Sequence, residues 1–582
     1  MPPLSRSEKG VSTPSPSRKD PVSTAITTAG SGTRALPPVL GRLLSGTFWL
    51  ALRVPLQVIF ALWTTRLVLQ AIGPGFSGAY KFAWGFGFFQ MLFEFGISSA
   101  LQRQISDSWT RGDRHGVDRA VACGLNFYAA MALVQVAALL GVAYWALPHS
   151  KFAVDSRSLV ASMLSLQILA DPSHGISAAV AGVIQERQCG FIVKLLWLQV
   201  FTAPCYGLSV VVSSVLQAAR RYDFIPRFEV AITILRFVVL VVGVNSGVDF
   251  FWVVVAQTAV QVLLSLGPGL WVMVHDLGHL PRFRGARLAD YKALMHISFF
   301  MALIQISVIM ADKVDTTVLG FLHPDPGQAN AVYDVVSKPF LQLRQTGWML
   351  AYMVMPAVAS LAAARDLRGL ERVKYDGTRL HIGALLPIGL LGWIYAGPFL
   401  SLWVGNRLGY DAANKAYLMQ LFLTAAIPLI LSVPVQMAIG INKIEVIALA
   451  ALAGSLINLP ISCYLTYHIG VAGVIWGTVL TTFFSNLLVP GLYVFHVLEI
   501  NPRTYLKRTL SPPLTGAAAL ILATWLLRQV MPVTYPGTAL YTRAFPLLLH
   551  LAFGTLAYAA GYLLPPSGRD DLRELWSKLR PR

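Results

Sequence analysis

The chain has 582 residues, and 55% of them are hydrophobic while only 13% are charged, with a mean hydropathy of +0.61. An average soluble protein carries roughly 25% charged residues, so this composition excludes a set of water-soluble domains. The charges are lopsided, 46 Lys+Arg against 27 Asp+Glu for a net +19, and where the cations sit decides whether nucleic acid is a partner.

Residues 1–42 read as a disordered cytoplasmic tail: 22 of the first 40 are Ser, Thr, Pro or Gly, without periodicity. No apolar stretch follows the early basic residues, so the tail is not a secretory signal, and Glu8 and Asp20 argue against a transit peptide.

Apolar runs then recur at 46–71, 79–99, 120–147, 191–218, 228–247, 249–274, 294–320, 329–361, 380–404, 413–439, 443–467, 469–496, 511–532 and 543–565. Each can cross a hydrocarbon core of about 30 Å, and backbone in lipid must be helical. The fold class is therefore an all-α integral membrane protein with about fourteen transmembrane helices. A further apolar segment, 158–185, is interrupted at Asp171-Pro172-Ser173-His174-Gly175 and matches the end of the next span at an offset of 32 residues. It is expected to form a re-entrant or outer-face hairpin.

With the N-terminus inside, 25 basic residues fall in the cytoplasmic breaks and C-terminal tail and six in the N-terminal tail, against about five on the opposite side. The positive-inside rule then puts both termini in the cytoplasm. The net charge is thereby an insertion signature, and nucleic acid drops out as a partner. Cys123, Cys189, Cys205 and Cys463 are scattered without metal spacing.

Arg227-Phe228-Glu229-Val230 and Pro268-Gly269-Leu270-Trp271-Val272 frame the fifth and sixth spans. Lys443-Ile444-Glu445-Val446 and Pro490-Gly491-Leu492-Tyr493-Val494 frame the eleventh and twelfth in the same way. Such a repeat predicts two pseudo-symmetric six-helix lobes facing a cavity, 43–275 (with the extra segment) and 276–500, then two additional helices and a basic tail over 501–582.

In the first spans stand Arg66, Gly73-Pro74, Gly78-Ala79-Tyr80 and Phe93-Glu94-Phe95-Gly96-Ile97 with Ala100 and Arg103. Later come Asp315-Thr316-Thr317-Val318-Leu319-Gly320, Tyr333, Pro356, Leu402-Trp403-Val404-Gly405, Asn458-Leu459 and Gly470-Val471-Ala472-Gly473. Over about 46–500, this series resembles the polysaccharide (O-antigen type) flippases of the multidrug/oligosaccharidyl-lipid/polysaccharide exporter superfamily. The resemblance implies transport of lipid-linked oligosaccharide, borne on a polyprenyl pyrophosphate, across the bacterial inner membrane for cell-surface polysaccharide synthesis. It implies alternating access of two lobes, an H+ or Na+ gradient as a driving force, and polymerase or glycosyltransferase machinery as partners. The chain departs from it in the long tail and the segment near 150–190.

Ionisable groups inside spans are the candidates for function. Ser298, Gln305 and Asp312 form a seven-residue stripe in the seventh span, with Asp315 one turn further; Asp312 or Asp315 could take up a coupling ion, or neutralise one another with Lys313. Glu94 is a third ion candidate. In the eighth span Asp334, Lys338, Gln342 and Gln345 share a face, and Asp334 and Lys338 can pair at i,i+4. Arg53, Gln57, Arg66 and Arg236 complete the cavity candidates, since a guanidinium binds pyrophosphate bidentately. Trp49, Trp84, Trp348 and Tyr352 could stack on sugars or simply pack. His275-Asp276-Leu277-Gly278-His279 has zinc-protease spacing, but Gly278 weakens a helix there and Asp is a carbon short, so no metal is expected.

No catalytic residue or cofactor is expected: the chain reads as a transporter, not an enzyme. A drug/cation antiporter of the same superfamily is the nearest alternative, and its acidic cavity contrasts with the basic candidates here. A membrane polysaccharide polymerase or ligase would need a reactive outer loop, and 148–190 is too apolar to be one.

Overall fold

In the computed structural model every described element is helical. The structure describes residues 38–92, 94, 97–152, 172–219, 224–279, 282–287, 290–291, 303, 306–307, 309–310, 313–352, 354–405, 407–408, 411–441, 443–533 and 540–579. The Ser298, Gln305 and Asp312 stripe lies outside these residues, as do the tail 1–37 and the stretch 153–171.

Glycine and proline decide where the first half bends. Helix α1 runs Pro38–Gly85, with one break at Gly73, whose φ of 72° belongs to the left-handed region. The sequence reading places a loop there. Instead, Pro74 takes the first position of a new helical run, where its missing N–H costs nothing, so the two expected spans form one kinked rod. The chain then forms α2 (Ile97–Thr110), α3 (Arg114–Gly141), α4 (Pro172–Ala218), α5 (Phe224–Asn245) and α6 (Phe250–Trp271).

Helix α4 corrects the hairpin expected over 158–185: from Pro172 onward that segment is the beginning of the fourth long helix, not a separate hairpin. Pro172 opens the helix as Pro74 does, so a residue pair read as an interruption is a start signal.

The second half contains α7 (Pro326–Tyr352), α8 (Thr378–Ile394), α9 (Ala412–Thr424), α10 (Ser432–Gly440), α11 (Glu445–Ile469) and α12 (Val471–Thr482). It closes with α13 (Val489–Val497), α14 (Ser511–Val530), α15 (Leu540–Tyr562) and α16 (Pro566–Leu579). Among the described residues, 11 helices are long and apolar enough to cross a membrane. One of these contains both spans of the kinked rod, α7 stands apart because it carries Asp334, Lys338 and Arg344, and the seventh span falls mostly outside the described residues. The protein is thus a multi-pass membrane protein with about fourteen membrane-spanning helices.

In the first half α1 packs on α4 and α5, α4 on α2, α3 and α6, and α5 on α6. Two apolar cores form at its opposite ends, one around Ile97, Leu101, Val121 and Val215 and one around Phe82, Leu139, Ile192 and Val253. The second half buries one large core around Val332, Phe340, Phe422 and Ile475, and Leu69 of α1 belongs to it. Helices α14 and α15 pack tightly on each other and rest on α8.

The terminal helix α16 is fastened by charge. Arg379, whose side chain is 4% exposed, donates Nε to Asp571 Oδ2 at 2.7 Å and pairs a second nitrogen with Asp571 Oδ1. Its Nη1 also reaches Asp376 at 3.0 Å and the Arg508 carbonyl at 2.9 Å, while Tyr562 donates to Asp571 at 2.7 Å. Removing one partner of a buried pair costs about 3–5 kcal/mol. Asp571→Ala is therefore expected to lower the thermal-unfolding midpoint clearly in detergent. Glu371→Ala, which loses a 3.7 Å bridge from a half-exposed carboxylate to Arg508, should leave the midpoint nearly unchanged.

Candidate functional site

The two halves meet chiefly where α1 crosses α7. At the Gly73 end their backbones touch. A Cβ added to Gly78 would run into the Gly327 carbonyl oxygen, and Gly327 in turn lies against Gly75. Just beyond, Gly85 lies against Thr316 and Gly320 against the Phe82 ring. Small residues let two helices approach this closely inside a membrane. Trp403 adds a tie by donating Nε1 to the Leu62 carbonyl at 2.7 Å.

A charged cluster occupies this junction. Asp334 on α7 accepts from Lys338 Nζ at 2.6 Å, the i,i+4 pair expected from sequence. Its other oxygen meets Lys81 Nζ of α1 at 2.5 Å, and Lys338 also donates to Thr65 Oγ1 of α1. The three charged side chains are only 32%, 12% and 20% exposed for Lys81, Asp334 and Lys338. Two ammonium groups thus share one carboxylate across the boundary between the halves. Lys81 is absent from the sequence-derived candidates because its partner lies in another helix far along the chain; only its position in an otherwise apolar span marked it.

Arg236 of α5 joins the same neighbourhood. Arg236, Lys81 and Asp334 all lie within electrostatic reach of the Tyr80 hydroxyl. Arg236 donates Nη1 to Gln261 at 2.9 Å, but its Nε is buried without an acceptor. The cluster therefore holds two cations and one carboxylate, with Arg236 as a further cation nearby. Tyr80 stacks on Trp84 at 5.6 Å and packs edge-on against Phe250, which places Trp84 on the cluster's flank.

The remaining candidates scatter around it. Arg53 pairs with Glu229 of α5, so this cation is neutralised within the first half. Phe60 stacks on Phe237 at 4.4 Å and fixes the same α1–α5 seam. Gln57 is half-buried on α1. Arg66 lines an open cavity of about 560 Å³ with Ile59, Leu62, Trp63, Gln70 and Trp403. Gln342 is half-buried and Gln345 exposed on α7, one and two turns past Lys338. Trp348 lines a small pocket with Arg344, and Tyr352 is 58% exposed.

Of the carboxylates proposed to bind a coupling ion, Asp312 lies outside the described residues, and Asp315 and Glu94 are each held within one half. Asp315 is 1% exposed and accepts from Tyr333 at 2.7 Å and Thr478 at 3.0 Å, so it ties three helices of the second half together. Glu94 is buried at the turn before α2 and accepts from Tyr206 at 3.0 Å. The histidines of the zinc-like spacing go separate ways: His275 bonds its own helix at Trp271, and His279 meets Asp118 Oδ1 at 2.7 Å.

No family model matches the chain. A curated protein, the uncharacterized membrane protein EpsK of Bacillus subtilis, is 22% identical over 233 residues, 40% of this chain and 45% of that one. The alignment thus spans less than half of that relative's length. Among solved structures, the chain is similar to the lipid II flippase MurJ in its inward closed conformation, with a TM-score of 0.63 and 13% identity over 92% of this chain and all of that one. It is also similar to an inward-facing multidrug resistance MATE family transporter of the MOP superfamily, with a TM-score of 0.55 and 12% identity over 80% of this chain and all of that one. A eukaryotic MATE transporter, AtDTX14, gives 0.53 and 13% identity over 78% of this chain and 96% of that one. The resemblance read from the sequence motifs thus holds at the level of the fold: this chain has the architecture these transporters share.

Proposed function

We propose that this protein is a flippase for lipid-linked oligosaccharide: it moves the molecule across the membrane and leaves its bonds intact. The observation that carries the reading is the cation excess at the junction of the halves, where Lys81 and Lys338 share the single carboxylate of Asp334, with Arg236 nearby. A polyprenyl pyrophosphate is the anionic lipid group that such a site suits, since fixed cations in low dielectric favour a phosphate strongly. Cationic drugs would meet repulsion at the same place, which disfavours the antiporter reading. By the positive-inside rule both termini face the cytoplasm in this reading, and the Gly73 end faces outward. Contact at that end then closes the path between the halves to the outside. The lipid chain stays in the bilayer, and the open cavity lined by Arg66 and Trp63 lies beside its path.

The test is reconstitution in vesicles with fluorescent lipid-linked oligosaccharide on one leaflet. Its appearance on the other is expected for the wild type, and no flipping with or without an ion gradient refutes the reading. Asp312, Asp315 and Glu94 are the groups through which H+ or Na+ would act. Asp315→Asn is expected to abolish gradient dependence while keeping basal flipping, because Tyr333 and Thr478 both donate to Oδ2 and the Asn amide oxygen can accept both. Unchanged gradient dependence in Asp312→Asn, Asp315→Asn and Glu94→Gln would retire ion coupling through them.

A further inference from the structure

We propose that Asp334 is an internal stand-in for the substrate's diphosphate, and that Lys81 is the cation which that diphosphate takes over when the halves part. The inference rests on the flippase reading and deepens it. It starts from which contacts survive separation. Asp334 and Lys338 are four residues apart on one helix and keep their 2.6 Å bond however the halves move. Lys81 belongs to α1, so opening at the Gly73 end breaks its 2.5 Å contact with Asp334. The same motion breaks the contact of Lys338 with Thr65.

The two states therefore differ in charge balance. Closed, two ammonium groups share one carboxylate. Open, Asp334 and Lys338 form a neutral pair, and Lys81 is left as a cation without a partner in a membrane-embedded wall. An uncompensated charge there is costly, so the empty protein stays closed at this end. A diphosphate bound at Lys81 removes that cost. The buried Nε of Arg236, which lacks an acceptor and lies in the same neighbourhood, offers it a second donor. A ligand shifts such an equilibrium only by its differential affinity for the two states. Lys81 supplies this difference, because Asp334 occupies it in one state and leaves it vacant in the other. Opening is thus tied to the presence of cargo.

The experiment reads the distance between the halves by double electron–electron resonance in nanodiscs. Spin labels replace Ser246 and Asn414, both exposed, in a protein whose four cysteines are replaced. Polyprenyl diphosphate is expected to lengthen the distance in the wild type, and polyprenol, which lacks the anion, is not. Inorganic pyrophosphate should act as the diphosphate does at higher concentration. Lys81→Met should show the long distance without ligand and respond to the diphosphate at least tenfold more weakly. Lys81→Arg should restore the wild-type response and shows that a loss in Lys81→Met is not misfolding. Opening by polyprenol, or a wild-type response in Lys81→Met, overturns the inference. Flipping by the wild type with either of those results leaves the flippase reading standing; absence of flipping in the wild type removes that reading itself.

Discussion

Asp334→Ala is expected to pull the halves apart at the Gly73 end in the absence of any ligand. The substitution leaves Lys81 and Lys338 facing each other across the α1–α7 junction with no carboxylate between them. Removing one partner of a buried ion pair costs about 3–5 kcal/mol. An equilibrium of two conformations then moves by about two to three and a half powers of ten, since each 1.4 kcal/mol is a factor of ten. Spin labels at positions 246 and 414 should show the longer distance as the dominant population. A distribution identical to that of the wild type would mean that the cluster does not hold the halves together.

Gly78→Val is expected to reach a similar state by steric means and to stop transport, with flipping reduced at least a hundredfold. A side chain at position 78 has no room beside the Gly327 carbonyl, and a backbone oxygen cannot swing aside as a flexible side chain can. The cores around Leu101 and Phe422 do not include Gly78, although its neighbour Ala79 belongs to the core around Phe82. Each half should therefore still fold, and a monodisperse elution profile checks this. A protein that cannot close at one end cannot complete a cycle that requires closure there. Wild-type flipping by Gly78→Val would show that the contact is not part of the cycle.

Much of the architecture was legible because a membrane leaves the backbone few choices: long apolar runs must be helices, and their number followed from their length. The Asp334–Lys338 pair was legible for a similar local reason, being one turn apart on one helix. What could not be read was anything that depends on which helices become neighbours. Lys81 looked like one cation at a span's edge until α7 brought Asp334 to it. Arg53 looked free until α5 brought Glu229, and Glu94 gained its partner Tyr206 from α4. Gly73-Pro74 and Asp171-Pro172 were misread for another reason. Proline ends one helix and begins the next with equal ease, and residue type alone does not say which.

Helix α1 also bears on how the chain assembles. It is made before the other helices described, yet Thr65 meets Lys338 across 273 positions and Leu62 meets Trp403 across 341. Its contacts with α4 and α5, including Arg53–Glu229, become available much earlier. During synthesis one flank of α1 can therefore be satisfied while the other, with Thr65 and Leu69, stays against lipid until the second half is inserted. Maturation would then run in two steps, with the leading helix waiting for the trailing half to dock. Defects in late helices should surface as a protein whose first half is already protease-resistant.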